Sequence, residues 1–189
     1  MHPVLMSWAR NYFGVDAFYV EPGVKTGVKV LIDNPSELGA DRLVNAVAGI
    51  EKFGAPLIIV DFGTATSYDV VNAKQEYLGG LISPGLKISA EALFQRASRL
   101  PRVEIAEPER LVGKNTIQAM QSGIFYGYVG MVEGILRRLL EECPGSKVAA
   151  TGGLARVIAP HCPLINHIAP DLTLDGLRIL WFRNQGGRK

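Results

Sequence analysis

At 189 residues with a formal net charge of +2, the chain is long enough to bury the core of one domain or two small ones, and it has no basic run of the kind that grips nucleic acid. Hydrophobic residues make up 48% and charged residues 20%, the balance of a soluble globular protein, and no apolar stretch reaches the length of a membrane span. The two cysteines, Cys143 and Cys162, are too few for a disulfide framework, so a reduced, cytoplasmic protein is expected.

Trp8, Arg10 and Asn11 interrupt the apolar N-terminal pattern, so residues 3–13 predict a helix and not a signal peptide. Ala17 to Val20 predicts a short strand ended by Pro22-Gly23, and Val28 to Ile32 predicts another. Asp33-Asn34-Pro35-Ser36-Glu37 is a helix start: Asn34 suits the cap, Pro35 the first helical position, and Glu37 the third residue of a capping box. That helix should run to about Phe53 and stop at Gly54 and Pro56. It carries Gly39-Ala40-Asp41-Arg42, with Asp41 about two turns in, beside an apolar side made by Leu38, Leu43, Val44, Val47 and Ala48. Two readings are open for Asp41: a solvated pair with Arg42, or a carboxylate aimed into a cleft.

The apolar run Leu57-Ile58-Ile59-Val60 predicts a buried strand. At its end stands Asp61-Phe62-Gly63-Thr64-Ala65-Thr66, where an open α/β sheet binds ligands. Gly63 lets the backbone approach a phosphate, Thr64 and Thr66 offer hydroxyls, and Asp61 offers a hard oxygen to a cation. Ser67 to Val71 and Tyr77 to Ile82 predict two more strands around a turn at 72–75, with a bulge or close approach at Gly79-Gly80. After Pro84-Gly85 a helix is expected with Leu86, Ile88, Ala92 and Leu93 buried, then a connector from Leu100 to Pro108.

Gly113-Lys114-Asn115-Thr116 is not a phosphate loop, because Asn115 separates the lysine from the threonine and no glycine stands at the required distance before it. Asn115 instead caps a helix, with Gln118 three residues on. Over about Thr116 to Cys143, Gly123, Gly127, Gly130 and Gly134 form one stripe beside Phe125, Tyr126 and Tyr128. Each glycine costs about 1 kcal/mol against alanine in a helix, so the stripe calls for a close contact, within the chain or with a second subunit. Lys147 to Ala150 predicts a buried strand, and Thr151-Gly152-Gly153-Leu154 a turn that opens a helix; it is either an ordinary strand-to-helix turn or an approach for a phosphate-bearing ligand. His161, Cys162 and His167 fit no common zinc spacing. Thr173 is expected to cap a last helix over 174–182, and residues 184–189 to fray.

Asn34-Pro35, Gly39 to Arg42, Asp61 to Thr66, Gly79-Gly80, Pro84-Gly85, Gly113 to Thr116 and Thr151 to Leu154, in this order, closely resemble the type III pantothenate kinases over about Pro22 to Leu180. The resemblance implies an α/β fold of the actin-like ATPase kind: a ribonuclease-H-like lobe with a mixed sheet and flanking helices. It implies transfer of the ATP γ-phosphoryl group to the primary hydroxyl of pantothenate, giving 4′-phosphopantothenate, the first step towards coenzyme A. By the same resemblance Asp41 is the base, and Gly39, Ala40, Asp41, Arg42 and Thr116 hold pantothenate. Gly63, Thr64, Thr66, Thr151, Gly152 and Gly153 lie against ATP, which brings Mg²⁺. Asp61 binds a monovalent cation, K⁺ or NH₄⁺, and the enzyme is a homodimer with no nucleic-acid or membrane partner.

The family's opening motif, Asp-x-Gly-Asn-Thr, occurs nowhere in these residues. The chain is therefore expected to be a single domain, 1–189, corresponding to the second lobe and connecting region, with the first lobe largely missing and little turnover on its own. The alternatives to a shortened kinase are a non-catalytic pantothenate-binding or regulatory module, and a two-part enzyme whose first lobe is a separate chain.

Overall fold

A computed structural model describes residues 2–96 and 100–185. Its centre is a six-stranded mixed sheet in the order β1-β4-β3-β2-β5-β6. Strands β2 (Leu57–Phe62), β3 (Ala65–Val71) and β4 (Glu76–Pro84) form an antiparallel meander. Strands β5 (Lys147–Thr151) and β6 (His167–Ile168) then join side by side, parallel to β2, and the short β1 (Lys29–Val30) pairs parallel with β4 at the other edge. A three-stranded meander extended by two parallel strands on the side of its first strand is the ribonuclease-H-like arrangement.

Side chains alternate across this sheet, so each strand serves two cores. Ile58, Val60, Phe62, Tyr68 and Val70 point to the face covered by α4 (Thr116–Glu142), where they meet Phe125, Tyr128, Val129, Val132 and Leu136. Leu57, Ile59, Val71 and Tyr77 point to the opposite face, covered by α2 (Ala40–Phe53) and α6 (Leu172–Gln185). These two helices pack closely: a Cβ on Gly176 would lie 2.3 Å from the Val44 carbonyl oxygen. A Cβ on Gly49 would lie 2.6 Å from Leu57 Cδ2, which shows how tightly α2 lies on β2.

Several local expectations are corrected. The helix expected from Pro35 to Phe53 is interrupted. Pro35–Glu37 is a 3₁₀ turn capped by Asn34, Leu38 and Gly39 are extended, and α2 begins at Ala40. Glu37 bonds the Asn34 side chain at 2.9 Å and does not close a capping box on its backbone. Asp41 therefore lies in the first turn of α2, not two turns in. Residues 17–20 form no strand: they have no ladder partner, and Phe18 and Val20 pack instead against Val44, Val47 and Leu180. In α3 (Leu86–Arg96) only Leu86 is buried, while Ile88, Ala92 and Leu93 are exposed, because the helix touches the core by its first turn alone. Thr173 is inside α6 and not its cap, and Asn184 and Gln185 belong to that helix; residues 186–189 of the expected frayed tail lie outside the described residues. Asn184 is tied down by accepting from the Lys25 N–H and donating to the Lys25 carbonyl.

Other readings match. Helix α1 spans His2–Phe13. Asn115 caps α4 by accepting from Gln118 N–H at 2.9 Å. The β3–β4 ladder shifts register at Val70/Val71, opposite Gly79, which is the bulge expected at the glycine pair. The short α5 (Ala155–Ile158) follows the Thr151-Gly152-Gly153 turn.

Candidate functional site

The chain direction gathers the polar motifs at one end of the sheet. Strands β2 and β5 run parallel and end together, with Asp61 opposite Thr151 in register. Helix α2 comes immediately before β2 and runs back against it, so its first turn, with Asp41 and Arg42, sits over that same end. The β2–β3 turn at Gly63-Thr64 and the turn after β5 at Gly152-Gly153 complete the rim, the place where open α/β sheets take ligands.

Asp61 is half-buried and is held from α2. Asn45, fully buried, donates from Nδ2 to Asp61 Oδ2 at 3.0 Å. The Thr173 hydroxyl of α6 donates to Asn45 Oδ1 at 2.7 Å. Holding the amide oxygen turns the amide nitrogen towards the carboxylate. Burial pushes the Asp61 carboxyl above its ordinary range; the Asn45 bond opposes this, and the Asp41 and Asp69 charges add to it. The other oxygen, Oδ1, faces the glycine turn. A Cβ on Gly152 would lie 2.4 Å from Asp61 Oδ1 and 2.7 Å from Phe62 backbone atoms, and Gly152 has φ of +89°. Only glycine fits that position, for space and for conformation.

Asp41 is exposed, and Oδ1 accepts from the Arg42 backbone N–H at 2.9 Å. Among the described residues no cation pairs with it. The solvated Asp41–Arg42 pair is thereby ruled out, because the Arg42 side chain turns inward: Nε donates to Asp69 Oδ1 at 2.7 Å. Asp69 is fully buried on β3 and also accepts from the Tyr77 hydroxyl at 2.6 Å and the Ser67 hydroxyl at 3.1 Å. Burial raises its pKa, with the Tyr77 and Arg42 bonds working against the rise.

Not every expected residue joins this cluster. Gly39, Ala40, Gly63, Thr64 and Gly153 are exposed around the rim, and Gly152 is partly exposed there. Gly85 is pressed on the Gly63-Thr64 turn, since a Cβ there would lie 2.1 Å from the Thr64 carbonyl oxygen. Thr66 is fully buried, its hydroxyl bonded to the Tyr128 hydroxyl in the α4 core. The even position on β3 sends it through the sheet, so it is not a cleft donor. Thr151 is buried, and its Oγ1 finds no hydrogen-bond partner among the described residues. Thr116 is exposed at the first turn of α4, which covers the face of the sheet opposite α2.

Three residues of the cluster, Asn45, Asp69 and Thr173, carry no sequence motif. Asp69 had one visible signal, a lone charge inside an otherwise apolar strand between Tyr68 and Val70. Asn45 had a weaker one, a single amide among the alanines and valines of α2, four residues after Asp41.

No group of three His, Cys, Asp or Glu side chains among the described residues could hold a metal ion. Asp61 would thus share any cation with backbone or ligand oxygens. Its unbonded Oδ1 beside the open Gly152 backbone fits such a role. No described helix is long and apolar enough to cross a membrane.

Comparison with known proteins gives one consistent answer. A family model for type III pantothenate kinases matches residues 1–138. The type III pantothenate kinase of Koribacter versatilis is 56% identical over 190 residues, covering 100% of this chain and 69% of its own length. That of an Exiguobacterium species is 56% identical over 181 residues, covering 96% and 71%. Among solved structures, a Campylobacter jejuni protein described as a Baf family transcriptional activator superposes with a TM-score of 0.57 at 20% identity, over 82% of this chain and 70% of that one, a likeness of fold. The chain therefore belongs to the type III pantothenate kinases, enzymes that phosphorylate pantothenate at the expense of ATP.

Proposed function

We propose that Asp41 is the base that takes the proton from the primary hydroxyl of pantothenate, and that the rim around Asp61 holds the ATP phosphates. One observation carries this reading: an exposed carboxylate on the first turn of α2 stands close enough to the half-buried Asp61 for its charge to help raise the Asp61 pKa. Phosphoryl transfer consists mostly of positioning and charge stabilisation, and it needs a carboxylate within reach of the acceptor hydroxyl. Among the described residues no cation pairs with Asp41 to quench it. Gly39 and Ala40 leave its approach open, and Arg42, its guanidinium turned inward onto Asp69, would contact pantothenate.

Gly63 and Thr64 would line the phosphates, and Thr151, Gly152 and Gly153 the nucleoside end. Thr151 Oγ1 is a buried hydroxyl without a hydrogen-bond partner among the described residues. Asp61 Oδ1 would bind a monovalent cation, K⁺ or NH₄⁺. Mg²⁺ would arrive with ATP and neutralise phosphate charge. The assignment of Thr116 to pantothenate rests on the family resemblance alone.

The homodimer is part of this proposal. Cβ atoms built on Gly123, Gly127 and Gly130 would meet nothing within 4 Å and one on Gly134 only Arg138 Nη1 at 3.7 Å, so the stripe has no close contact among the described residues. A second copy lying along α4 would supply it. Gly127→Leu should then convert a dimer to a monomer in light scattering; an unchanged mass removes the stripe from the interface. The setting of such an enzyme is the cytoplasm.

The test of the chemistry is pantothenate-dependent ADP release. Release that Asp41→Asn removes supports the base; release that survives it refutes the assignment. Only one phosphate turn is present in these 189 residues, so we expect the rate from the chain alone to be low. A non-catalytic module is not favoured, because the relatives at 55–57% identity are kinases.

A further inference from the structure

We propose that Asp69 is a positioning residue for pantothenate binding, acting through Arg42. This rests on the reading of Arg42 as a pantothenate contact and adds the device that sets it. Arg42 Nε is committed to Asp69 at 2.7 Å. Its Nη2 is enclosed by protein without a hydrogen-bond partner among the described residues. The side chain is only 19% exposed, which leaves Nη1 as the one nitrogen open to a ligand. Arg42 thus offers the substrate one donor in one direction, and not the two-nitrogen fork usual for carboxylate recognition.

The surroundings are built to keep it so. Asp69 has no exposure, and it is held in place by the hydroxyls of Tyr77, on the same Oδ1, and Ser67, on Oδ2. The Arg42 guanidinium lies 5.9 Å from the Tyr77 ring centroid, which walls the same space. Asp69 is paired with Gly80 in the ladder. A Cβ on Gly80 would lie 3.0 Å from Arg42 Nη2 and 1.7 Å from the Tyr68 carbonyl oxygen. The Gly79-Gly80 pair therefore makes room for the guanidinium as well as a bulge. A long cationic side chain on a helix is clamped by the neighbouring sheet, and its tip loses the freedom that binding would otherwise have to remove.

The experiment is a calorimetric titration of the 189-residue chain with pantothenate, which needs no turnover. Four proteins are compared: the parent, Arg42→Ala, Asp69→Asn and the double variant. Arg42→Ala should raise the pantothenate Kd at least about tenfold, the loss of a charge-assisted hydrogen bond. Asp69→Asn should raise it by a similar factor in the parent and by nothing further in the Arg42→Ala background. Equal weakening in both backgrounds, as general damage to the fold would give, overturns the proposal, and so does no weakening in the parent. Unchanged affinity in Arg42→Ala, or no binding by the parent at millimolar pantothenate, instead refutes the underlying reading of Arg42. Because Asp69→Asn strands a buried guanidinium, Tyr77→Phe is the milder companion. It keeps the ion pair, removes one donor to Asp69, and should weaken binding about twofold to fivefold only where Arg42 is present.

Discussion

The two faces of one sheet are built to different rules. On the α4 face, β2 and β3 present Ile58, Val60, Phe62, Tyr68 and Val70 to an apolar layer, and even the Thr66 hydroxyl is consumed internally by Tyr128. On the α2 face the same strands combine apolar Leu57, Ile59 and Val71 with two acids, Asp61 and Asp69, which face Asn45 and Arg42. One face supplies stability. The other spends part of it to hold acids where water is scarce: Asp61 at the end of β2 beside the glycine turns, and Asp69 further along the sheet, opposite Ile59. An acid buried on this scaffold is thus a mark of function, because the opposite face shows that the strands can be filled with hydrocarbon throughout.

Substitutions on the two faces should separate cleanly. The largest effect belongs to Asp41→Asn. Pantothenate-dependent turnover should fall about 10²–10⁴-fold, the usual weight of a general base, with the melting temperature unchanged because Asp41 is exposed. Ile58→Ala, on the α4 face, should do the reverse: a loss of about 2–5 kcal/mol in chemical denaturation with pantothenate affinity intact. Thr66→Val comes next, costing about 1 kcal/mol through its lost hydrogen bond and leaving ATP affinity alone. Weaker ATP binding would return that hydroxyl to the site and blur the contrast between the faces.

The smallest effect is the pH dependence of Asp61→Asn. Burial raises the Asp61 pKa, so the stability tied to its protonated form is complete below the ordinary carboxylate range and is lost as pH rises through the raised value. The neutral variant should therefore melt above the parent at pH 8, by a few degrees at most, and the difference should close in acid. Added KCl should narrow the gap at pH 8 by stabilising the parent alone. A variant that melts below the parent at pH 8 would mean that the ionised carboxylate stabilises the fold.

Much of this was legible in the chain, and the misses have physical causes. The run Leu57 to Val60 followed by Asp61 to Thr66 announces a strand end, because hydrophobic burial and a glycine turn leave strong local signals. The first turn of α2 was misplaced because Asn34, Pro35 and Glu37 start a helix as well as any cap. Only the extended Leu38-Gly39 break, imposed by tertiary packing, restarts it at Ala40. Asp69 and Asn45 escaped notice because their partners are distant in sequence: Arg42 is 27 residues from Asp69, and Thr173 is 128 from Asn45. Thr173 reads as a cap in sequence, since threonine suits one; its real task is visible only once α6 lies on α2.

That last contact bears on how the enzyme can be cut and recombined. The family model matches residues 1–138, yet Thr151, Gly152 and Thr173 all lie beyond it. The hydroxyl that orients Asn45, and through it Asp61, belongs to the final helix. The Asp61 end of the sheet is consequently not a portable module: a chimera that exchanges α6 exchanges the orientation of the Asp61 carboxylate with it.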